Sequence, residues 1–428
     1  MSQPLDRDCF SGSEPLMTLG AALALLCARI RPVVGIERLP LEAALGRILA
    51  ADIVAGFDVP GHDNAAVDGY AVYGEDLNPT GETRLPIAGR AAAGHPLAGL
   101  QARGTAVRIF TGAMMPAGLQ AAPGPDTVAM QEECRIEEGT VVIPAGLERG
   151  RNRRRRGEDI RAGRKILEAG QRLRPQEIGL AAAAGQAVLP LRARLRVALF
   201  STGDELAEPG QPLGAGTIHD SNRYVLGALL RQSGAAVGDL GILPDRPDAV
   251  RLALQVAARD HDLLLTSGGV SSGEEDHVKA ALLSMGRLHV WRLAIKPGRP
   301  VALGQIDAAD RAVPFIGLPG NPVAAMVTYL RIARPLILGL MGAKDLEPVR
   351  YRLPAAFALR KKRDRREFLR GWVETDGNGR QRLQRFEQES SAILTSMTAA
   401  AGLIEIAEDV TEVAPGDLLD FLPFAEMR

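Results

Sequence analysis

Residues 190 to 340 alternate short apolar runs with segments of helical periodicity. The runs RLRVALF (194–200) and HDLLLT (261–266) are typical of buried strands, and SNRYVLGALLRQSG (221–234) and RPDAVRLALQVAARD (246–260) are typical of helices. Strands and helices that alternate at this length predict a parallel sheet covered by helices on both faces. We therefore predict a central, doubly wound α/β domain over 189–341, which binds ligands at the carboxyl ends of its strands.

The segments on either side of this domain have different sequence patterns. From 51 to 150, short β-branched runs alternate with Gly and Pro turns, which indicates a β insertion domain between two pieces of a discontinuous helical domain at 15–50 and 151–188. Short alternating strands over 345–428 indicate a C-terminal β barrel or sandwich, of which we expect the barrel. The predicted fold class is thus multidomain α/β plus β.

Charge and cysteine content exclude several classes of protein. Lys plus Arg and Asp plus Glu are equal at 51 each, and zero net charge argues against bulk binding to nucleic acid or to an anionic membrane. Three cysteines are too few for a disulfide framework or a zinc cluster. The apolar stretch 16–28 is too short to span a bilayer, and acidic residues precede it, unlike in a signal peptide. We expect a cytoplasmic protein.

Three loops follow predicted strands of the central sheet, namely FSTGDEL (200–206), TSGGVSSGEED (266–276) and LPGNPV (318–323). Each loop combines tight-turn residues with the start of a helix, where unpaired N–H groups and the helix dipole favour anions. Glycines there let the backbone approach a ligand closely. The candidate substrate-binding residues in these loops are Ser267, Gly268, Gly269, Ser271, Gly273, Pro319, Gly320, Asn321 and Pro322.

Carboxylates in two of these loops point to a cation. Asp204 and Glu205 lie in the first loop, and Glu274, Glu275 and Asp276 lie in the second. Because Mg²⁺ commonly bridges a few carboxylates and ligand phosphates, we predict a phosphate compound bound together with Mg²⁺. For each acid the alternative is a capping role in a first helical turn.

Basic residues occur at two further candidate positions. Lys296 and Arg299 lie around the Pro-Gly turn of LAIKPGRP (293–300) and would suit a second anion, although a solvated turn is an equal alternative. Arg365 and Arg370 are candidate anion contacts, with surface arginines as the alternative. The arginine-rich run 149–163 lacks interleaved aromatic residues, which favours a solvated inter-domain loop over a nucleic-acid patch.

Two motifs of the β insertion place polar residues at tight turns. Asp63 and Asp68 precede a predicted strand in HDNAAVDGYAVYGED, and Thr111 ends another in RIFTGAMMPAG. From the residues alone, Asx and Ser/Thr turns are favoured over a functional role. The six histidines are dispersed without zinc-ligand spacing, and no serine lies in a nucleophile elbow.

The chain resembles the MoeA family of molybdopterin molybdenumtransferases, which includes the gephyrin E-domain, over nearly its whole length. The resemblance lies in eight ordered motifs: DNAAVDGYA, RIFTGAMMP, DTVAMQEE, RRRGEDI, FSTGDEL, SGGVSSGEEDHVK, LAIKPGRP and GLPGNPV. It implies that the chain inserts molybdate into adenylylated molybdopterin, releasing AMP and molybdenum cofactor, and that Mg²⁺ is required. It also implies four domains and an elongated homodimer, with the cleft between the central domain of one subunit and other domains of its partner.

The resemblance assigns roles to individual residues. The implied catalytic residues are Asp63, Thr111, Glu205, Asp245, Asp276, Lys296 and Arg299. Glu205 and Asp276 are the implied metal ligands. Arg365 or Arg370, together with Ser391, would be the contribution of the C-terminal domain to substrate binding. The chain departs from the family where Arg299 replaces a frequent lysine and where QESSAILTSM (388–397) replaces a glycine-serine pattern.

Two alternatives from other classes stay open at this point. The central domain would also suit a molybdopterin adenylyltransferase, although the flanking domains favour insertion of the metal. A non-catalytic, gephyrin-like scaffold would predict that acidic or basic site residues are lost, whereas Glu205, Asp276 and Lys296 are present. Transient contacts with molybdopterin adenylyltransferase or with molybdoenzyme targets are further expectations.

Overall fold

The computed structural model describes residues 16–119, 123–244, 246–269, 277–308 and 311–427, and of Val290 only the backbone. Four predicted site residues, Asp245, Ser271, Gly273 and Asp276, lie outside the described residues, as do Glu274 and Glu275.

The N-terminal region is built mainly of strands. Its elements in chain order are α1 (Leu19–Arg29), β1 (Ile36–Pro40), β2 (Ile53–Val54), β3 (Asn64–Ala65), β4 (Gly69–Val72), β5 (Thr83–Ala91), β6 (Leu100–Gln101), β7 (Ala106–Ile109), β8 (Ala117–Gly118), β9 (Thr127–Met130), β10 (Arg135–Glu137), β11 (Thr140–Ile143), β12 (Arg153–Arg154), β13 (Lys165–Leu167), α2 (Pro175–Ala183) and β14 (Val188–Arg192). A six-stranded sheet of order β10-β11-β5-β7-β4-β9 forms from strands within the predicted β insertion.

The pieces 15–50 and 151–188 hold much less helix than the sequence predicts. In the first piece only α1 is α-helical, because the periodic segment LEAALGRIL is interrupted at Gly46, which adopts φ +72, and Leu49 then bridges to Leu191 of β14. In the second piece, glycines 157, 163 and 170 adopt φ between +68 and +83, so that only α2 remains helical. Positive-φ glycines outweigh helical spacing in both places.

The central region forms one six-stranded sheet with helices on both faces. Its elements are β15 (Arg196–Thr202), β16 (Leu206–Ala207), β17 (Ile218–His219), α3 (Asn222–Gln232), β18 (Ala236–Leu243), α4 (Pro247–Asp260), β19 (Leu263–Ser267), α5 (His277–Met285), β20 (Gly286–Arg292), β21 (Ile295–Lys296), β22 (Pro300–Asp307), β23 (Ala312–Leu318), α6 (Pro322–Thr328) and α7 (Arg334–Leu340). Alternate residues of β15 belong to separate cores: Val197 and Leu199 pack with α3, whereas Ala198 and Phe200 pack with α4 and α5.

The sheet is mixed, and this corrects the prediction of a parallel sheet. Its order is β18-β15-β19-β23-β22-β20. The strands β18, β15, β19 and β23 pair in parallel, whereas β22 is antiparallel to both of its neighbours, β23 and β20. The connections 293–299 and 308–311 are too short for the crossover that a parallel pair needs, which explains the change of direction.

The helical segment Pro322–Leu340 is long and apolar enough to cross a membrane, but 94% of its most apolar window is buried inside the fold. It consists of α6, a π-helical turn at Tyr329–Ala333 and α7. Its side chains pack in the same core as α1, α3 and the central strands, so its apolar character is explained by burial in protein.

The C-terminal region is β-rich. Its elements are β24 (Tyr351–Pro354), β25 (Leu359–Arg360), β26 (Arg366–Thr375), β27 (Gln381–Arg385), α8 (Thr395–Ala399), β28 (Gly402–Ile406), β29 (Glu412–Val413) and β30 (Leu418–Pro423). The strand series β27-β26-β28-β30-β24 is hydrogen-bonded throughout, and a bridge from Ala355 to Leu383 joins its two ends, which is the connection that a closed barrel requires. The short strand β21 of the central region also pairs with β26, in parallel.

Candidate anion-binding pocket

The ends of β15, β19 and β23 lie side by side, as the sequence predicts, and their loops are tied together by hydrogen bonds. Asn222, the first residue of α3, donates from Nδ2 to Ser267 Oγ at 2.7 Å and to the Gly320 carbonyl at 2.6 Å. Ser267 Oγ donates to the Pro319 carbonyl at 3.2 Å. Ser267 therefore joins the second and third loops, and Asn222, which the sequence did not single out, holds both.

Glycine is required in the second loop by the close approach of the first strand. Gly269 adopts φ +63, and a Cβ there would lie 2.4 Å from Thr202 Oγ1 at the end of β15. Gly268 adopts φ +86 and faces Gly320, whose Cβ position would be 3.9 Å from the Gly268 Cα. Small residues on both loops thus leave the strand ends open to a ligand.

A cavity of about 500 Å³ lies at these strand ends. Eight predicted site residues line it: Gly268, Gly269, Lys296, Arg299, Pro319, Gly320, Asn321 and Ser391. Pro322 begins α6 directly after Asn321. We call this cavity the Lys296 pocket.

Two carboxylates that the sequence did not predict hold the Lys296 side chain. Its ammonium contacts the carboxylate of Glu389 and lies 3.5 Å from Glu367 Oε2. Lys296 and Glu367 are register partners in the pairing of β21 with β26, which brings the C-terminal region to the pocket. The hydrogen bond from Lys296 lowers the pKa of Glu389, so this carboxyl group is ionised at neutral pH.

Arg365 and Arg370 contact protein groups in this structure. Arg365 Nη2 lies 2.6 Å from Glu367 Oε1, on the side opposite the Lys296 contact. Arg370 is buried and donates from Nε to Ser396 Oγ at 3.0 Å and from Nη2 to the Gln388 carbonyl. Burial lowers the pKa of Arg370. Arg370 therefore supports the backbone of the segment that carries the pocket residues Glu389 and Ser391.

The turn that carries Arg299 is packed firmly against α6. Gly298 adopts φ +102, and a Cβ there would lie 2.5 Å from Thr328 Cγ2. On the same helix, the amide of Val323 donates to the Ser391 carbonyl at 3.0 Å. Arg299 is exposed on this supported turn, so its charge is free to face a ligand in the pocket.

Glu205 is not among the residues that line the Lys296 pocket. Its carboxylate folds back over Gly203, where a Cβ would come within 2.3 Å of Glu205 Oε2. Within the described ranges, no group of three or more His, Cys, Asp or Glu side chains is placed to hold a metal ion. Asp204 and Glu205, both exposed, nevertheless supply oxygen donors of the kind that Mg²⁺ prefers when phosphate oxygens complete its shell.

Asp63 lines a different cavity, of about 790 Å³, in the β insertion. Its Oδ1 accepts from the Arg156 amide at 2.8 Å, and its Oδ2 lies 3.3 Å from Arg153 Nη1. The pairing of β3 with β12 explains these contacts, because it places the arginine-rich run beside the DNAAVDGYA motif. This role of the run was missed, since no local spacing links segments ninety residues apart.

Thr111 forms the turn that the residues alone favoured. Its amide and its hydroxyl both donate to Asp68 Oδ1, at 2.7 and 2.8 Å. These two hydrogen bonds lower the pKa of Asp68. Within one chain the structure thus places neither Asp63 nor Thr111 among the residues that line the Lys296 pocket.

Comparisons with known proteins match successive parts of the chain to regions of the same kind of protein. Three family models match: the MoeA N-terminal region (domain I and II) at residues 17–185, a probable molybdopterin binding domain at 198–339 and the MoeA C-terminal region (domain IV) at 352–424. The molybdopterin molybdenumtransferase of Haemophilus influenzae is 36% identical over 411 residues, which is 96% of this chain and 99% of that protein. The corresponding enzyme of Nostoc is 39% identical over 320 residues, covering 73% and 71% of the two chains.

Solved structures give the same result. The molybdopterin biosynthesis moeA protein of Pyrococcus horikoshii superposes with a TM-score of 0.81 at 27% identity, covering 96% of this chain and 100% of that one. A second structure, also described as a molybdopterin biosynthesis moeA protein of Pyrococcus horikoshii, has a TM-score of 0.74 at 29% identity and covers 96% of this chain and 99% of that one. The resemblance in sequence motifs is therefore matched by resemblance of the whole fold.

Proposed function

Because the chain belongs to the MoeA family, we propose that the Lys296 pocket is where it joins molybdate to adenylylated molybdopterin. Its activity is that of a molybdopterin molybdenumtransferase, an enzyme of molybdenum cofactor biosynthesis. The observation that carries the proposal is the convergence of Lys296, Arg299 and the glycine-rich strand ends in one cavity. All the substrates are anions, and this cavity offers both cations and close backbone approach.

The residues of the pocket divide the work between binding and positioning. Gly268, Gly269 and Gly320 let a pyrophosphate approach the backbone at the strand ends. Lys296 and Arg299 neutralise negative charge that is brought into the pocket, Arg299 as a planar donor and Lys296 as a point charge. Arg370 acts behind them, because it fixes the segment 388–391 through backbone carbonyls.

Mg²⁺ belongs to the proposal as well. Glu205 and its neighbour Asp204 carry hard oxygen donors at the end of β15, which fits a cation shared with phosphate oxygens. The ion would supply positive charge to the pyrophosphate during cleavage. Asp276, the second proposed ligand, lies outside the described residues.

We also propose that the enzyme works as a cytoplasmic homodimer. The support is that Asp63 and Thr111, to which the family resemblance gives catalytic roles, do not line the Lys296 pocket of their own chain. A second subunit that presents its β insertion to this pocket would bring the two sets together. Transient contact with molybdopterin adenylyltransferase or with recipient molybdoenzymes would fit the delivery of such substrates and products.

The test is an assay of AMP release. Purified protein is supplied with adenylylated molybdopterin and Mg²⁺, and AMP is quantified by chromatography before and after molybdate is added. Release that depends on molybdate supports the proposal. Formation of adenylylated molybdopterin from ATP and molybdopterin, without such release, would instead identify an adenylyltransferase.

A further inference from the structure

The Glu389 carboxylate lies between two cations at the Lys296 pocket. Its carboxylate contacts the Lys296 ammonium on one side, and Arg385 Nη1 lies 3.8 Å from its Oε1 on the other. Arg385 Nη1 is buried and has no hydrogen-bond partner within the described ranges. The slot between these two cations therefore attracts negative charge, and a side chain of the protein itself fills it.

Lys296 does not depend on Glu389 to stay in place. The second carboxylate beside it, Glu367, has a side chain only 2% exposed and is fixed by Arg365 and by the pairing of β26 with β21. The Glu389 side chain is 39% exposed, so it has room to rotate into solvent. If Glu389 leaves, the ammonium keeps its buried partner and gains a free side toward the pocket.

The backbone around Glu389 is held independently of its side chain. Arg370 donates to the carbonyls of Gln388 and Ser390, and the Ser391 carbonyl accepts from the Val323 amide. Departure of the carboxylate therefore requires side-chain rotation and no movement of the segment. The pocket then keeps its shape but loses one negative charge, so its net charge becomes more positive.

We propose that Glu389 competes with the incoming oxyanion for the Lys296 ammonium and so determines the affinity of the pocket, because molybdate binds only by displacing it. This inference rests on the proposed function of the pocket. Glu389 thus sets the apparent affinity for molybdate below the value that the bare cations would give. It also keeps Lys296 paired when no substrate is present.

The charged groups that face Glu389 come from three elements, Lys296 of β21, Arg385 at the end of β27 and Arg370 of β26. All three are cations, and together they lower the pKa of the Glu389 carboxyl group. The competitor is therefore ionised throughout the neutral range, and the competition does not depend on a titration there.

The test compares Glu389→Gln with the wild-type enzyme. Glutamine keeps the size of the side chain and removes its charge, so the dissociation constant for molybdate is expected to fall about fivefold, the scale of a partly exposed ion pair. Equilibrium dialysis with quantification of molybdenum measures binding directly. In the AMP-release assay, KM for molybdate is expected to fall while kcat stays the same.

A matched control removes the same charge from the same segment. Glu387 is an exposed carboxylate two residues earlier, and Glu387→Gln is expected to leave molybdate affinity unchanged. The gain from Glu389→Gln is further expected to shrink in a Lys296→Gln background, since the competition acts through that ammonium. A full gain in that background would overturn the role of Lys296 as the contested group.

The outcomes separate this inference from the function on which it rests. An active Glu389→Gln enzyme with unchanged or weaker molybdate binding would overturn the competition alone and would leave Glu389 as a structural partner of Lys296. A wild-type enzyme without molybdate-dependent AMP release would overturn the proposed function and the competition together.

Discussion

Lys296 and Glu367 lie opposite each other in the pairing of β21 with β26, with 3.5 Å between the Lys296 ammonium and Glu367 Oε2. The first residue comes from the central region and the second from the C-terminal region. A carboxylate with a 2% exposed side chain therefore sets the position of the main cation in the pocket.

Glu367→Gln is expected to destabilise the protein. The change leaves Arg365 and Lys296 without their buried carboxylate, but both cations are partly exposed and can be rehydrated, so we expect a loss of about 1–2 kcal/mol in the free energy of unfolding. Urea unfolding followed by circular dichroism measures it. Glu387→Gln, at an exposed position, is the control and should leave the midpoint unchanged; an equally stable Glu367→Gln protein would contradict the anchoring role.

Lys296→Gln is expected to impair catalysis while leaving the fold intact. Loss of one charge-assisted contact to an anionic substrate amounts to about 1.5–3 kcal/mol, or roughly a 10- to 100-fold decrease in kcat/KM. AMP release under steady-state conditions is the measurement. Lys362→Gln removes an exposed positive charge elsewhere and should behave as wild type. Normal kcat/KM in a folded Lys296→Gln enzyme would show that substrate charge is neutralised elsewhere.

Gly269→Ala is expected to disturb the strand-end loops. The new methyl group would overlap Thr202 Oγ1, in addition to the strain of a φ of +63, so we expect about 1–3 kcal/mol of lost stability and at least a tenfold decrease in kcat/KM. Gly216→Ala is a matched control, because Gly216 adopts φ +79 with open space around its Cβ position. The double variant Gly269→Ala/Thr202→Ala should recover part of the loss; if it recovers none, the overlap is not the cause.

Asp262→Asn is expected to destabilise the central sheet in a pH-dependent way. Burial raises the pKa of Asp262, but hydrogen bonds from Arg196 and Arg311 outweigh it and hold the pKa below its usual 3.8. A lowered folded-state pKa means that the carboxylate stabilises the fold above about pH 4 and loses this effect as the pH falls through the folded value. Wild type and variant should differ by about 1–3 kcal/mol at pH 7.

The measurement for Asp262 is urea unfolding at pH 7 and at progressively lower pH. The difference between the two proteins should shrink below pH 4, because protonation removes the charge in wild type as well. A difference that stays constant down to pH 3 would mean that the carboxylate contributes through packing and not through its charge.

The sequence predicted the loop residues that line the pocket more completely than the carboxylates that hold Lys296. Strand–helix alternation places the loops after β15, β19 and β23 at one edge of a sheet, and eight of the predicted residues indeed line one cavity. Glu367 was missed because it reaches Lys296 through the pairing of β21 with β26, and Glu389 because it contacts Lys296 from 93 residues further along the chain; no local pattern encodes either contact. Four of the ten residues of REFLRGWVET are charged, so the sequence offered no signal that distinguished Glu367.

The prediction of helix over 15–50 and 151–188 was confirmed at α1 and α2 and was wrong for the rest of the two segments, for a different reason. Apolar spacing in LEAALGRIL fits a helix, but Gly46 at φ +72 ends it and Leu49 is used in a strand contact. The helices predicted from the same spacing at α3 and α4 were confirmed, and no glycine with a positive φ interrupts either of them. In such segments, glycines with a positive φ determine the local structure even where the apolar spacing fits a helix.

The two-residue strand β21 has a consequence for how this chain could be divided. Cutting the protein after α7 would remove β26 and the segment 388–391, so Lys296 would lose both Glu367 and Glu389 in a single step. The central α/β unit therefore contains Lys296 but not the carboxylates that surround it. Grafting that unit alone onto another protein would transfer the lysine without a complete binding site.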